Sequence, residues 1–187
     1  MLKKINGNCE GPFPTFSEYY RGRSWRAKLI MPFTKWLRVI QVEGFMKPKE
    51  NHLDIGCGDG YFLKRSKCRN CWGIDQLYGE SCDKLAFYNG YFDYVTMLAV
   101  IEHLDNPEDA FQEIHRVLKP GGRFIFTTPK KSAEWLLKLY AKEVEDDHKC
   151  YLDLIKIKEL CYDLFRLEAY NTFMLGYNQV FSLIKIG

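Results

Sequence analysis

A single α/β domain built on a mostly parallel sheet is what three features of this 187-residue chain predict. Short apolar strands alternate with amphipathic helices along most of its length. A glycine-rich turn, Gly56-Cys57-Gly58-Asp59-Gly60, follows directly on one of those strands, and two strand-like runs close the chain as an antiparallel hairpin. The length suits one ordinary core, and 47% apolar with 27% charged residues excludes a disordered or fibrous chain.

The elements follow in order. Gly11-Pro12-Phe13-Pro14 punctuates the front, and Pro32 precedes a helix over 34–46 whose apolar face carries Trp36, Leu37, Val39, Ile40 and Phe45. His52-Leu53-Asp54-Ile55 is a short strand that runs into the glycine turn, with a helical segment from Tyr61 to Arg65 behind it. A second strand, Cys71 to Ile74, stops at Asp75; a third apolar run, Asp93 to Leu98, leads to Glu102-His103-Leu104. The best-marked helix covers 107–118: Asn106 stands at the cap, Pro107 takes the first helical position, and Glu108 and Asp109 face the positive end of the dipole. Lys119-Pro120-Gly121-Gly122 turns that helix into the strand Arg123–Thr127. Helices over 132–142 and 154–164 precede the terminal strands near 166–173 and 179–186.

Charge is uneven along the chain. Residues 1–50 hold ten Lys/Arg against four Asp/Glu, whereas residues 51–187 hold seventeen against twenty. Eight aromatics share the basic front, a mixture that suits an anionic ligand or a nucleic acid, and equally a basic helix laid over one side of the sheet. No run of about 20 apolar residues is present to cross a bilayer, and seven scattered cysteines suit reduced thiols; a soluble, cytoplasmic protein with no membrane partner is expected. Cys68-Arg69-Asn70-Cys71 has no second pair and reads as two buried thiols, and Asp146-Asp147-His148 reads as a solvated cluster, so no metal site is expected.

Glycines at the carboxyl end of a strand let a ligand approach the backbone, and the helix behind supplies free N–H groups. The spacing does not fit the G-x-G-x-x-G fingerprint, because Tyr61 follows Gly60. Asp75, at the end of the next strand, can take two ribose hydroxyls in a bidentate grip, which favours a nucleoside ligand.

With these segments in place the chain resembles the class I S-adenosylmethionine-dependent methyltransferases. Leu53 to Gly60 is similar to their first motif and Gly73-Ile74-Asp75 to their ribose-binding strand end. Phe92 to Leu104, Ala110 to Gly122 and Thr127-Thr128-Pro129 are similar to the later motifs. The resemblance covers about residues 50–130 and implies a Rossmann-like sheet, S-adenosyl-L-methionine as cofactor and transferase activity. It divides the single domain into an N-terminal helical cover or lid (1–47), a donor-binding core (50–130) and acceptor-side helices with C-terminal strands (131–187). Position by position it implies that Asp54 holds the donor's amino group, that Gly56 and Gly58 let its methionine part pass, and that Asp75 holds the ribose. It implies that Leu98 lines the donor, that Glu102 and His103 stand where the acceptor arrives, and that Asp83, the only acidic candidate nearby, meets the adenine. His103 is the candidate catalytic base, imidazole being the side chain best suited to proton removal near neutrality. Tyr19, Tyr20, Arg21 and Arg23 are candidates for a lid over the donor. The acceptor reads as a small molecule; a noncatalytic nucleoside-binding or scaffold protein and an RNA methyltransferase stay open as other readings.

One departure has a structural consequence. Only 17 residues separate Asp75 from Asp93, where the family fits a helix, a strand and a second helix. Two crossovers and a strand cannot be built from so few residues, so the third strand is expected to be missing or vestigial and the sheet edge shortened. Trp72 and Ile74 would then lie beside an open edge, to be covered by a second copy in a homodimer or left as an open adenine pocket.

Overall fold

The structure is a computed structural model that describes residues 1–5, 8–11, 14–19, 21, 25–133 and 149–187. Eight strands form one sheet: β1 Leu2–Ile5, β2 Asn8–Glu10, β3 Asn51–Ile55, β4 Asn70–Ile74, β5 Phe92–Leu98, β6 Leu118–Pro129, β7 Phe165–Phe173 and β8 Asn178–Lys185, in the order β2-β1-β4-β3-β5-β6-β8-β7. The central four, β4-β3-β5-β6, are parallel, and β8 and β7 continue antiparallel. This is the Rossmann-like class I methyltransferase sheet with antiparallel C-terminal strands that the sequence predicts.

Among the described residues five helices flank it: α1 Phe16–Tyr19, α2 Trp25–Glu43, α3 Tyr61–Arg65, α4 Pro107–Val117 and α5 Leu154–Cys161. Strand alternation sends side chains to two cores. On one face Val95, Phe124 and Phe126 meet Phe111, Ile114 and Val117 of α4 and Ile157 of α5. On the other, Tyr94 and Ile125 meet Val39 and Val42 of α2 and Phe62 and Leu63 of α3. The α4 boundaries match the expectation, although the Asn106 side chain donates to Asp109 Oδ2 (2.6 Å) instead of capping the helix. Helix α2 begins nine residues earlier than expected and holds Pro32 inside it, and Ile30 and Met31 of the added turns line the cavity described below. The helix expected over 132–142 and the Asp146-Asp147-His148 cluster fall outside the described residues, apart from a 3-10 turn at Lys131–Ala133.

The third strand is absent: between β4 and β5 the only regular structure is a 3-10 turn, Gln76–Tyr78. Its place is not left open. β1 pairs antiparallel with β4, matching Leu2 to Gly73, Lys3 to Trp72 and Lys4 to Cys71, and β2 folds back on β1. Residues 2–5 and 8–10, expected to belong to a helical cover, are therefore a pair of antiparallel strands. This corrects the expectation of a homodimer through β4, whose outer edge is occupied by the chain's own backbone. It also corrects the expectation of bare apolar side chains there: Ile74 is buried, and Trp72 packs edge-on against Phe87, Tyr91 and Phe92 at 5.3–6.4 Å between centroids. The edge that remains on this side, β2, is only three residues long, which leaves little backbone to recruit another strand.

Candidate functional site

A cavity of about 640 Å³ lies at the carboxyl ends of β3, β4 and β5, roofed by α2. β3 ends at Ile55, and the chain turns at Gly56 (φ 72°) and Gly58 (φ 52°), both left-handed. The Gly56 and Cys57 N–H groups both donate to the Ile74 carbonyl, at 2.8 and 3.1 Å, which ties the loop to the end of β4. A Cβ on Gly56 would stand 2.1 Å from Val100 Cγ2, and one on Gly58 would stand 2.6 Å from the Tyr19 hydroxyl. Glycine is thus required by the chain's own packing, and Tyr19 occupies the approach to Gly58 that was expected to be left for a ligand.

Two carboxylates converge on the cavity. Asp54 is 3% exposed; Thr96 Oγ1 donates to its Oδ1 at 2.7 Å. Burial pushes its carboxyl up to about 7, against the lowering effect of Thr96, with Asp75 adding to the rise. Asp75 directly follows β4, and each of its oxygens accepts a backbone N–H, Oδ2 from Gly58 (2.8 Å) and Oδ1 from Leu77 (2.9 Å). One lone pair on each oxygen is left for a ligand. Tyr78 donates its hydroxyl to the Gly58 carbonyl at 2.8 Å, fixing the loop from the far side.

Asp83, expected at the adenine, is exposed, hydrogen-bonds Ser81 and does not line the cavity. Glu80 and Cys82 line it instead, and Glu80 Oε2 is buried without a hydrogen-bond partner. The 3-10 turn aims the Asp75–Glu80 side of the loop inward, so the later residue points out.

Helix α2 supplies Ile30, Met31, Thr34, Lys35, Arg38 and Val39 to the roof. Lys35 pairs with Asp59 at 2.8 Å and lies 4.5 Å over the Tyr19 ring, which joins α1, α2 and the glycine loop. Tyr20 and Arg23, two of the lid candidates, fall outside the described residues, and Arg21 is exposed.

At the far end, Leu98, Ala99, Glu102 and His103 line the cavity with Tyr177 and Asn178 from the β7–β8 end. Ala99 holds φ 55°, a strained backbone that re-aims the chain out of β5. Glu102 is 1% exposed; burial raises its pKa, while His103, Arg38 and Thr128 act in the opposite sense. Its Oε2 and Asn178 Oδ1 are both buried without a hydrogen-bond partner. The structure therefore brings Asp54, Gly56, Asp75, Leu98 and His103 to one cavity, sets Gly58 behind Tyr19, and leaves Asp83 outside. Lys35, Arg38, Glu80 and Asn178 were not found from sequence; for Lys35 and Arg38 the signal was their place opposite the exposed Trp25, Leu29 and Phe33 on one helix.

S-adenosylmethionine fits this donor set: a carboxylate for an ammonium, a second for vicinal hydroxyls, and an unpartnered buried Glu80 oxygen for a further N–H donor. Among the described residues no group of three or more His, Cys, Asp or Glu is placed to hold a metal ion.

Comparison with known proteins agrees with this geometry. The family described as "Methyltransferase domain" matches residues 25–164. The ubiquinone biosynthesis O-methyltransferase of Azotobacter vinelandii is 34% identical over 130 residues, which is 52% of this chain and 56% of that protein, so the chain spans little more than half the length of that relative. The tRNA U34 carboxymethyltransferase of Idiomarina loihiensis is 25% identical over 154 residues, 68% of this chain and 46% of that one. A chain from the solved complex of the Haloferax volcanii Trm112 methyltransferase activator superposes with a TM-score of 0.73 at 14% identity, covering 95% of this chain and all of that one, a likeness of fold. The match over three quarters of the sequence, on a sheet with this strand order and a glycine loop between two carboxylates, places the chain in the class I S-adenosylmethionine-dependent methyltransferase family.

Proposed function

We propose that this chain transfers a methyl group from S-adenosylmethionine to a small-molecule acceptor held under α2. The observation that carries the reading is the convergence of Asp54 and Asp75 on one cavity at the carboxyl ends of the parallel strands. Asp54 meets the donor's ammonium and Asp75 its ribose hydroxyls; Glu80 takes the role first given to Asp83, beside the adenine. The donor supplies an already activated leaving group, so alignment of the acceptor provides much of the catalysis. His103, at the cavity mouth, is the base for an acceptor that loses its proton, and the buried, unpartnered Glu102 Oε2 and Asn178 Oδ1 are open to hydrogen bonds from that acceptor.

A small molecule is favoured over RNA because two cations of the basic front, Lys35 and Arg38, point into the roofed cavity instead of forming an outer patch. Reduced thiols suit a cytoplasmic setting: Cys57, Cys68, Cys71, Cys82, Cys150 and Cys161 are all free. Among the described residues no helix is long and apolar enough to cross a membrane. Calorimetric titration with S-adenosylmethionine and S-adenosylhomocysteine tests the reading. Saturable binding at one site is expected, lack of binding to either would remove every methyltransferase reading, and a tRNA complex that weakens steeply with salt would replace the small acceptor with RNA.

A further inference from the structure

We propose that Thr96 and His52 are positioning residues that keep Asp54 in its ionised, ligand-facing form through a buried hydrogen-bond chain with one fixed direction. The chain runs Ser66–His52–Thr96–Asp54. Ser66 Oγ lies 2.9 Å from His52 Nδ1, His52 Nε2 lies 2.7 Å from Thr96 Oγ1, and Thr96 Oγ1 lies 2.7 Å from Asp54 Oδ1. All four residues are at most 5% exposed, so no bulk water is available to substitute for a member.

The direction follows from proton counting. An ionised carboxylate only accepts, so the Thr96 hydroxyl must spend its one hydrogen on Asp54. Thr96 then accepts from His52, which places the ring proton on Nε2 and leaves Nδ1 as an acceptor. Ser66 must therefore donate to Nδ1, and its own oxygen accepts the Cys68 N–H at 3.3 Å. The 3.5 Å approach of Thr96 Oγ1 to the Leu53 carbonyl is too long to compete. Burial and the nearby Lys4 both hold His52 neutral, its pKa falling to about 3, as a ring with one donor and one acceptor requires. Lys4 is itself anchored on the Ser66 carbonyl at 2.7 Å, so β1 reaches the far end of the chain. The charged groups that face Asp54 are Asp75 and Asp59, which oppose its ionisation, and Lys35 on α2, which favours it. Thr96 on β5 is the hydrogen-bond donor that favours the ionised form from within the sheet.

The role of Asp54 toward an ammonium rests on the function proposed above; the direction of the chain does not. Two measurements separate them. In the unaltered, ¹⁵N-histidine-labelled protein at pH 8, His52 should show the Nε2–H tautomer; an Nδ1–H tautomer would overturn the proposal whatever the protein binds. In calorimetric titration with S-adenosylhomocysteine, Thr96→Val should weaken binding about tenfold near pH 7, converge on the unaltered protein above about pH 9, and be rescued by Thr96→Ser. A uniform loss at every pH, or no loss, would overturn it. Absence of binding by the unaltered protein would remove the proposed function and leave the tautomer measurement to judge the chain.

Discussion

Asp75→Ala should damage the protein twice, and the two losses can be read separately. In the structure Asp75 accepts the Gly58 and Leu77 N–H groups at 2.8 and 2.9 Å, so it staples the glycine loop to the 3-10 turn before any ligand arrives. Hydrogen bonds to a charged acceptor contribute about 1.5–3 kcal/mol each, and water reaching this half-buried carboxylate can replace part of that. The expected destabilisation is about 2–4 kcal/mol for Asp75→Ala and about half for Asp75→Asn, whose amide oxygen still accepts from one N–H. Urea unfolding at constant pH measures it. Loss of the ribose contacts should weaken S-adenosylhomocysteine by about 1–3 kcal/mol, roughly fivefold to 150-fold, in the fraction that stays folded. Asp75→Ala with unaltered stability would refute the staple, and destabilisation with unaltered affinity would refute the ribose contact.

Other outcomes follow from the same geometry. Gly58→Ala must adopt φ 52° and displaces the Tyr19 hydroxyl, so it should cost about 1–2 kcal/mol for backbone strain plus a clash that Tyr19→Ala relieves; a double-mutant cycle with no coupling would show that Tyr19 does not pack there. Removing residues 1–11 bares the β4 edge and deletes Leu2, whose burial alone is worth about 1.5–3 kcal/mol, and should give larger species in sedimentation; an equally stable monomer would mean that β1 and β2 add nothing. Asp54 has a folded pKa of about 7 against an ordinary value of 3.8, so the fold takes up its proton before the unfolded chain does, and this contribution grows as pH falls from 7 toward 4. Unfolding free energies of the unaltered protein and Asp54→Asn should therefore diverge in favour of the former by about 1.4 kcal/mol per pH unit across that window, and a pH-independent difference would contradict the burial of the charge.

What could be read in the sequence was whatever local spacing dictates. Asp54, Asp75, Leu98 and His103 lie at or just past strand ends, where the carboxyl edge of a parallel sheet gathers them, and residue counting alone was enough to show that no third strand fits between Asp75 and Asp93. The replacement of that strand by β1 could not be read. Leu2-Lys3-Lys4-Ile5 is too short to show alternation, and its partner lies 67 positions away from Lys4 at Cys71. That Glu80 lines the cavity while Asp83 faces solvent could not be read for a related reason: in an irregular segment no period says which side chain turns inward. The early start of α2 was hidden by Pro32, which commonly opens a helix and here sits within one, where residues on either side face the cavity.

The pairing of β1 with β4 also sets the order in which parts of the molecule can come undone. Closing a loop of nearly seventy residues costs about 4 kcal/mol of chain entropy before the first of three residue pairs is made. At the other end of the sheet β7 and β8 are joined by a tight turn and pair over eight positions, so their closure is local. The β1–β2 edge is therefore the first to open in native-state fluctuations and the last to form during refolding. Amides along the outer side of β4 would exchange with solvent by that limited opening while β3, β5 and β6 stay protected, which places the wall of the ligand cavity nearest Asp75 on the least persistent margin of the sheet.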